Sequence, residues 1–412
     1  MTDAGVTFDP LAAEQLDNPY PVYQRLRDDE PIFYAPEFDL WIVTRYEDVV
    51  AVTRDHETFS SKDAVRSSLD SPPPQVVEEL ARGFPVRPTL TDSDEPLHRR
   101  LRGLVNQAFT RKRVQDLAPE LGASADELID SFVAHGEVDL IESFAWPFPL
   151  MGIGDMLGVP RSDLSDLHQW SYDWLQLIQA TDPVEDLVRY ARSYVALQHY
   201  VREALEERRR NPMTDLMSAL LAARSDGESP LSLDEAMWVP LNLIVAGHVT
   251  VTRAIANSVD LLIRHPATKA ELLKRPDLLP DALEEFLRLE SPAQGLFRTT
   301  TKDVEIGGKS LPKGSRLMVH YGSSNRDPDV FERPGEIEPE RTNLRAHLAF
   351  GRGIHHCIGA PLARLELEIA LRALLDKLPG LDFVPDDPPI RDTIFFARGF
   401  KYFPIRWETI SS

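Results

Sequence analysis

Cysteine is almost absent: Cys357 is the single one among 412 residues. No internal disulfide can form, and such a chain suits a reducing compartment. Basic charge is short as well, with 45 Lys and Arg against 66 Asp and Glu and a net charge of −21. An acidic surface repels phosphate backbones, which argues against nucleic acid as a partner. The first residues, Met1 to Leu11, lack an apolar run and carry Asp3 and Asp9. We therefore expect no signal peptide and no membrane anchor, and place the protein in the cytoplasm. What is present is an ordinary soluble composition, 42% hydrophobic and 27% charged, long enough for a large core.

The lone cysteine sits in Phe350-Gly351-Arg352-Gly353-Ile354-His355-His356-Cys357-Ile358-Gly359. Glycines at 351, 353 and 359 let the backbone turn tightly and approach a flat ligand. Leu362, Leu365 and Ile369 then recur at helical spacing after Pro361, a residue tolerated in a first helical turn. The sulfur thus stands at a helix entrance, where unpaired N–H groups favour the thiolate, the form that ligates metal. A lone cysteine is more often a small buried hydrophobe; the aromatic, the spaced glycines and the histidine two residues before it argue otherwise.

Elsewhere the pattern is mainly helical. Helices are expected over 19–29, 46–53, 114–133, 162–178, 183–209 and 213–224, with a small hairpin over 31–43 and a partly looped stretch over 60–97 that is rich in proline. From His98 to Arg113 there are six Lys or Arg residues and no acid. Acids precede these bases at the start of a helix, the reverse of what its dipole favours, as if the bases answered an external anion. Ser232 and Glu235 form a capping-box pair that opens the longest helix, running to His265-Pro266 with a bend at Pro240. Its middle, Val239 to Thr252, reads as a core segment too short and too polar to span a bilayer. Val304 to Ile306 and Leu317 to Val319 read as a strand pair, and Ile394 to Phe396 with Tyr402 to Ile405 as two strands joined by a turn.

The ten-residue cysteine stretch resembles the haem-binding loop of the cytochrome P-450 family, in particular its soluble bacterial monooxygenases. The resemblance implies a mainly α fold with small β-sheets, the cytochrome P-450 fold, as a single triangular domain over 1–412 with buried haem b (iron protoporphyrin IX). It implies that Cys357 is the iron ligand in a loop shaped by Phe350, Gly351 and Gly359, and that His98, Arg102, Arg298 and His355 bind the haem carboxylates. Ala246-Gly247-His248, followed by Val249 and Thr250, is similar to the oxygen-activating helix, the small pair leaving room for the macrocycle. Thr250 matches the family's threonine, whereas Val249 stands where the relay acid is usual; His248 is then a candidate substitute. Glu285, Arg288 and Arg341 match a buried structural cluster. Pocket candidates are Phe84, Val86, Asn242, Leu243, Gln294, Leu296 and Phe396.

The function so implied is insertion of one oxygen atom from dioxygen into a small apolar organic substrate by a monomeric enzyme without membrane or nucleic acid. No flavin or nicotinamide fingerprint accompanies these motifs, so electrons are expected from a separate ferredoxin and ferredoxin reductase, with no fused reductase. The docking surface would hold Arg99, Arg100, Arg111, Lys112, Arg113 and Arg352. Two rivals stay open: a hydrogen-peroxide-dependent peroxygenase, which could dispense with the acid missing at Val249, and a haem-based sensor.

Overall fold

The computed structural model describes residues 5–62, 64–65, 72–224 and 228–409; residues 1–4 and Ser71, both drawn into the sequence reading, lie outside them. Among its helices are α1 (Pro74–Leu80), α2 (Leu97–Ala108), α3 (Pro147–Leu157), α4 (Leu164–Gln179), α5 (Val184–Arg210), α6 (Leu233–Ala236), α7 (Trp238–Arg264), α8 (Leu279–Leu289) and α9 (Ala360–Lys377). The largest sheet has five strands, β1 (Ile32–Ala35), β2 (Leu40–Val43), β3 (Phe59–Ser60), β4 (Gly295–Thr300) and β5 (Arg316–His320), in the order β1-β2-β5-β4-β3. The molecule is mainly α with small sheets, as the sequence implied. It divides into two compact units, one made of residues up to Ala64, Gly122–Phe148 and from Thr250 onward, the other of Val65–Leu121 and Pro149–Val249.

In the first unit the strand period of two sorts side chains onto two apolar faces. Phe33, Ile42, Phe297 and Met318 join Leu26 and Tyr23 in one cluster. Their neighbours Ile32, Val43, Leu317 and Val319 join Val49 and Val52 in another. Each such side chain, fully buried, contributes on the order of 2 kcal/mol. The expected hairpin is β1 and β2, antiparallel with Ile32 opposite Val43.

Two strand assignments need correction. Val304–Ile306 pairs with Lys309–Leu311 across Gly307 and Gly308, both at positive φ, rather than with Leu317–Val319. That two-glycine turn makes the local partner available first, and β5 is already held between β2 and β4. Ile394–Phe396 is not a strand: Phe395 and Phe396 pack on the cluster of Phe33 and Phe297, and the extended pair is Ile390–Arg391 with Phe400–Tyr402. The aromatic residues are there for burial, which β propensity alone does not distinguish from pairing.

In the second unit α5 packs along α4 and α1. Buried Asp173 of α4 accepts from Arg189 at 3.1 Å and from the Ser193 hydroxyl at 2.5 Å. Gln198 of α5 accepts the backbone N–H of Phe84 at 2.7 Å, closing the loop after α1 onto the same helix. Glu185 and Asp186 at the start of α5 and Arg208 to Arg210 at its end both suit the dipole.

The capping box forms as expected, with Ser232 and Glu235 satisfying each other's backbone N–H groups. The single long helix is instead two. Pro240 cannot donate to the carbonyl of Ala236, and the chain breaks at Met237 between α6 and α7. At about 1.5 Å per residue α7 is roughly 40 Å long. The stretch Leu233–Arg264 is long and apolar enough to cross a membrane, contrary to the expectation from its middle, but 67% of its most apolar window is buried inside the protein. Burial, rather than polarity, makes it a core helix.

Arg398 ties the start of the chain to the end of α8: it donates to Glu290 at 2.7 Å and to the carbonyls of Leu16 at 2.5 Å and Asp17 at 2.8 Å. Arg398→Ala leaves a buried carboxylate with one fewer cation, a loss of about 3–5 kcal/mol. Its urea midpoint should fall, and Ala13–Asp17 should become protease-sensitive; an unchanged midpoint would show the contact to be energetically idle.

Candidate active site

The cysteine loop is built by local backbone geometry. Gly351 and Gly353 adopt φ of 65° and 75°, a region other residues enter at a cost. A side chain on Gly353 would run into the Thr53 carbonyl, and one on Gly351 would stand 3.3 Å from the Tyr321 hydroxyl. Cys357 N–H donates to the Phe350 carbonyl at 2.9 Å and Gly351 N–H to that of Leu348 at 2.8 Å. The loop ends at Gly359, the N-cap of α9. Cys357 itself is exposed, although Ala360 and Leu362 just after it are buried. Cysteine is among the residues most often buried, so a sulfur held open on a tightly bonded loop is placed to take a ligand.

What holds the loop is a pair of adjacent buried carboxylates on α8. Glu285 accepts from Arg288 at 2.7 and 2.8 Å, from Arg341 at 3.2 Å and from the Glu338 backbone N–H at 2.9 Å. The sequence had pointed to this cluster, and the three side chains do meet. Its neighbour Glu284, which the sequence reading missed, accepts from Arg364 of α9 at 2.5 and 2.9 Å and lies 2.8 Å from His347 Nε2. Arg364 in turn lies over the Phe350 ring at 4.4 Å. Burial pushes the Glu284 carboxyl up, but the bonds from His347 and Arg364 outweigh it and hold the group at about 2.

Arg298 lies on β4, 3% exposed, with Nη1 donating to the Phe297 carbonyl at 2.6 Å. His355 is half-buried in the turn Gly353–His355. Tyr321 feels both charged positions: burial pushes its phenol up, Arg298 pulls it back, and Cys357 pushes it up again. In the second unit His98 is buried, its Nδ1 3.8 Å from Glu95, and Arg102 is half-buried one turn further along α2.

Along α7 burial is one-sided. Leu241, Ile244, Val245, His248 and Val251 are buried, whereas Asn242, Leu243, Val249 and Thr250 are half-buried and Ala246 is exposed. The helix thus keeps one open stripe along an otherwise apolar segment. Two expectations change here. The missing side chain of Gly247 faces Ile153 at 3.4 Å, so this glycine lets α7 approach α3 and does not clear space for a ligand. His248 is on the buried side, its Nδ1 2.7 Å from the Ile244 carbonyl and its ring edge-on to His168 at 6.0 Å. That nitrogen is engaged within its own helix, and the ring packs toward α4.

The pocket candidates separate as well. Asn242 and Val86 line a cavity in the second unit. Phe84 instead packs on His199 and Arg202 of α5. Gln294 is 4% exposed, donates to the Ser291 carbonyl at 2.7 Å and crowds Gly322, so it is a framework residue with its amide engaged. Leu296 and Phe396 pack against the two clusters of the first unit, and Leu243 belongs to the α7 stripe. The basic run is not a bare patch: Arg99 faces Glu95, Arg100 faces Glu235, Lys112 faces Asp116, and Arg113 caps the carbonyls of Ala108 and Thr214. Arg352 donates to the Tyr46 hydroxyl at 3.1 Å. Arg111 stays exposed.

The chain is similar to known proteins over nearly its whole length. Residues 271–381 match the profile of the cytochrome P450 family. Cytochrome P450 107B1 of Saccharopolyspora erythraea is 36% identical over 414 residues, covering 97% of both proteins. The chain belongs to the cytochrome P450 family. The 6-deoxyerythronolide B hydroxylase of the same organism is 34% identical over 395 residues, 94% of this chain and 96% of the hydroxylase. The solved structure of cytochrome P450 CREJ in complex with (4-ethylphenyl) dihydrogen phosphate superposes with a TM-score of 0.92 at 28% identity, covering 97% and 99% of the two chains.

This P450 is accordingly a monooxygenase, an oxidoreductase whose cofactor is haem b. Its residues fit that group: a single open sulfur on a glycine-shaped loop, basic side chains suited to carboxylates, and an open stripe on an apolar helix.

The loop brace gives a pH signature. Because Glu284 is held at about 2 against an ordinary 4.5, its contribution is complete above pH 4.5 and is lost as pH falls toward 2. Glu284→Gln should lower the thermal midpoint at neutral pH by the equivalent of about 2–3 kcal/mol, and flatten the acid limb of stability against pH. A variant with the wild-type acid limb would show that the brace carries no linkage.

Proposed function

We propose that this P450 inserts one atom of dioxygen into a small, largely apolar organic substrate, by hydroxylation or by dealkylation, using electrons from a separate ferredoxin and its reductase. The observation that carries the reading is Cys357, exposed just before α9 on a loop whose Gly351, His356 and Cys357 backbone N–H groups are bonded within the chain. When bound there, haem iron supplies the reductive activation of dioxygen, with the thiolate favouring O–O cleavage. The residues of this chain do the rest. In the first unit Arg298 and His355 would hold the cofactor's carboxylates through charge-assisted hydrogen bonds; the family resemblance gives His98 and Arg102 the same role. Thr250, half-buried on α7, would supply a hydroxyl proton at Oγ1 in the oxygen-activating role that the resemblance gives it. Val249 beside it has no proton to give.

The named hydroxylase among the relatives supports neither the peroxygenase nor the sensor reading. For the electron donor, exposed Arg111 is the side chain of the basic run best placed to meet an acidic partner.

Replacing the thiolate tests the assignment. Cys357→His should keep haem but lose the red-shifted absorption of the reduced carbon monoxide complex and most oxygenation; an unchanged carbonyl spectrum would remove Cys357 as the ligand. Val249 should leave its own mark. With electrons supplied by ferredoxin, wild type should release hydrogen peroxide in place of part of its product. Val249→Glu should then raise product per electron pair, provided burial leaves the carboxyl ionisable. Near-complete coupling in wild type would show that proton supply does not depend on this position.

A further inference from the structure

The second unit holds a cavity of about 280 Å³ whose wall includes Trp174, Leu177 and Ile178 of α4, Tyr194 of α5, and Trp238 and Leu241 of α7. Small-molecule sites span roughly 300–1,000 Å³, so this one suits a compact guest with one ring and a short chain. Most of the wall is aromatic or aliphatic. Its two charged residues, Arg87 and Asp92, differ in setting. Arg87 is exposed, where a charge is well hydrated and a partner adds little. Asp92 is half-buried, and no ion pair joins it to Arg87 or to any other cation among the described residues.

The Asp92 carboxylate is held in place but only half used. Its Oδ1 accepts the Thr89 backbone N–H at 2.5 Å and the Thr89 hydroxyl at 2.6 Å, and the Ser93 hydroxyl closes the same turn on the Thr89 carbonyl at 2.5 Å. These bonds fix the orientation of the group. Oδ2 takes no donor among the described residues, yet it is not sealed from contact, as Trp238 Nε1 on the same wall is. A new group can therefore reach it. Tyr194 shows which way the charge is felt. Burial pushes its phenol up to about 12, and the charge of Asp92 adds to the push, so the two wall residues stand within electrostatic reach of each other. A half-buried negative charge beside aromatic rings, with no cation of its own, is a setting that an ammonium group completes. It brings the missing positive charge and an N–H donor, and aromatic faces favour its alkyl groups.

We propose that Asp92 anchors a cationic amine, so that the cavity selects compact aryl-alkyl amines as the guests of this P450. The ammonium N–H donates to Asp92 Oδ2, and the hydrocarbon part lies against Trp174, Leu177 and Tyr194. The net charge of −21 works in the same direction by drawing cations toward the surface. The rival guest is a carboxylate held at Arg87. It would set a second anion near Asp92, and like charges disfavour each other most where water is scarce.

The proposal rests on this cavity being the substrate chamber of the monooxygenase, and the test separates the two. Calorimetric titration of the haem-loaded protein compares three heads on one skeleton: N,N-dimethyl-4-phenylbutylamine, N,N-dimethyl-4-phenylbutanamide and 4-phenylbutyrate. The amine should bind about 10-fold or more tightly than the amide, the increment of one hydrogen bond to a charged group, and the carboxylate more weakly than either. Asp92→Asn keeps an oxygen for the Thr89 bonds but loses the charge. It should erase the amine's advantage while the amide's affinity changes little; any ligation of iron by the nitrogen is common to wild type and variant and cancels in their comparison. Asp92→Ser, which closes such turns with a hydroxyl, gives the same reading independently. Both variants are checked for wild-type haem content and thermal midpoint, and either alone suffices to decide. An amine advantage that survives them would belong to the overall charge and overturn the anchor. Equal affinity for amine and amide, or a carboxylate preference that Arg87→Ala removes, would overturn it too. Turnover of the bound amine with ferredoxin, its reductase and NADPH reports separately on the oxygenase reading. The calorimetric preference without turnover would uphold the anchor and count against that reading of the cavity.

Discussion

Two adjacent carboxylates with no access to water are the constraint on which the first unit depends. Glu284 and Glu285 follow one another on α8, are buried at 2% and 0%, and answer to different partners. Because successive helical side chains point about 100° apart, one residue gathers Arg288 and Arg341 and fixes the segment that leads toward the cysteine loop. The other gathers His347 and Arg364 and fixes the loop together with α9. Burying a carboxylate costs several kcal/mol unless charge and hydrogen bonds compensate. The segments supplying those bonds are therefore obliged to meet. The position of Cys357 is in that sense a consequence of electrostatic necessity on a helix it does not belong to.

Much of this was legible in the chain. The glycine spacing around Cys357, the pairing of Glu285 with Arg288 and Arg341, and most helix positions followed from local patterns, because each is written within a few residues or in a recognisable motif. Glu284 escaped since its partners lie 63 and 80 residues away and a tandem Glu-Glu reads as a solvated face. Phe395 and Phe396 read as strand because β propensity and the need for burial favour the same side chains. Gly247 was taken for ligand clearance because sequence does not say which way a missing side chain would have pointed; here it is toward Ile153. The helix break at Met237 was implicit in Pro240, but whether proline bends or interrupts depends on the turn before it.

The oxygen-side helix shows how one element serves opposite requirements. Its buried side packs along α3 and α4, and on the proposed function its open side supplies room and a hydroxyl. Val249 stands half-buried at the border of these faces, where the resemblance expects an acid. His248, a titratable group of the right kind, is turned to the packing side and bonded to Ile244. The helical period, rather than the identity of nearby residues, decides which of them can reach the chemistry.

That same period separates two jobs along the axis of α7. Asn242 and Thr250 are eight positions apart, roughly 12 Å of rise, with Ala246 between them. On the proposed function, two turns lie between a side chain that lines the second unit's cavity and the hydroxyl of residue 250. A single substitution at 242 therefore reshapes the cavity wall without touching that hydroxyl.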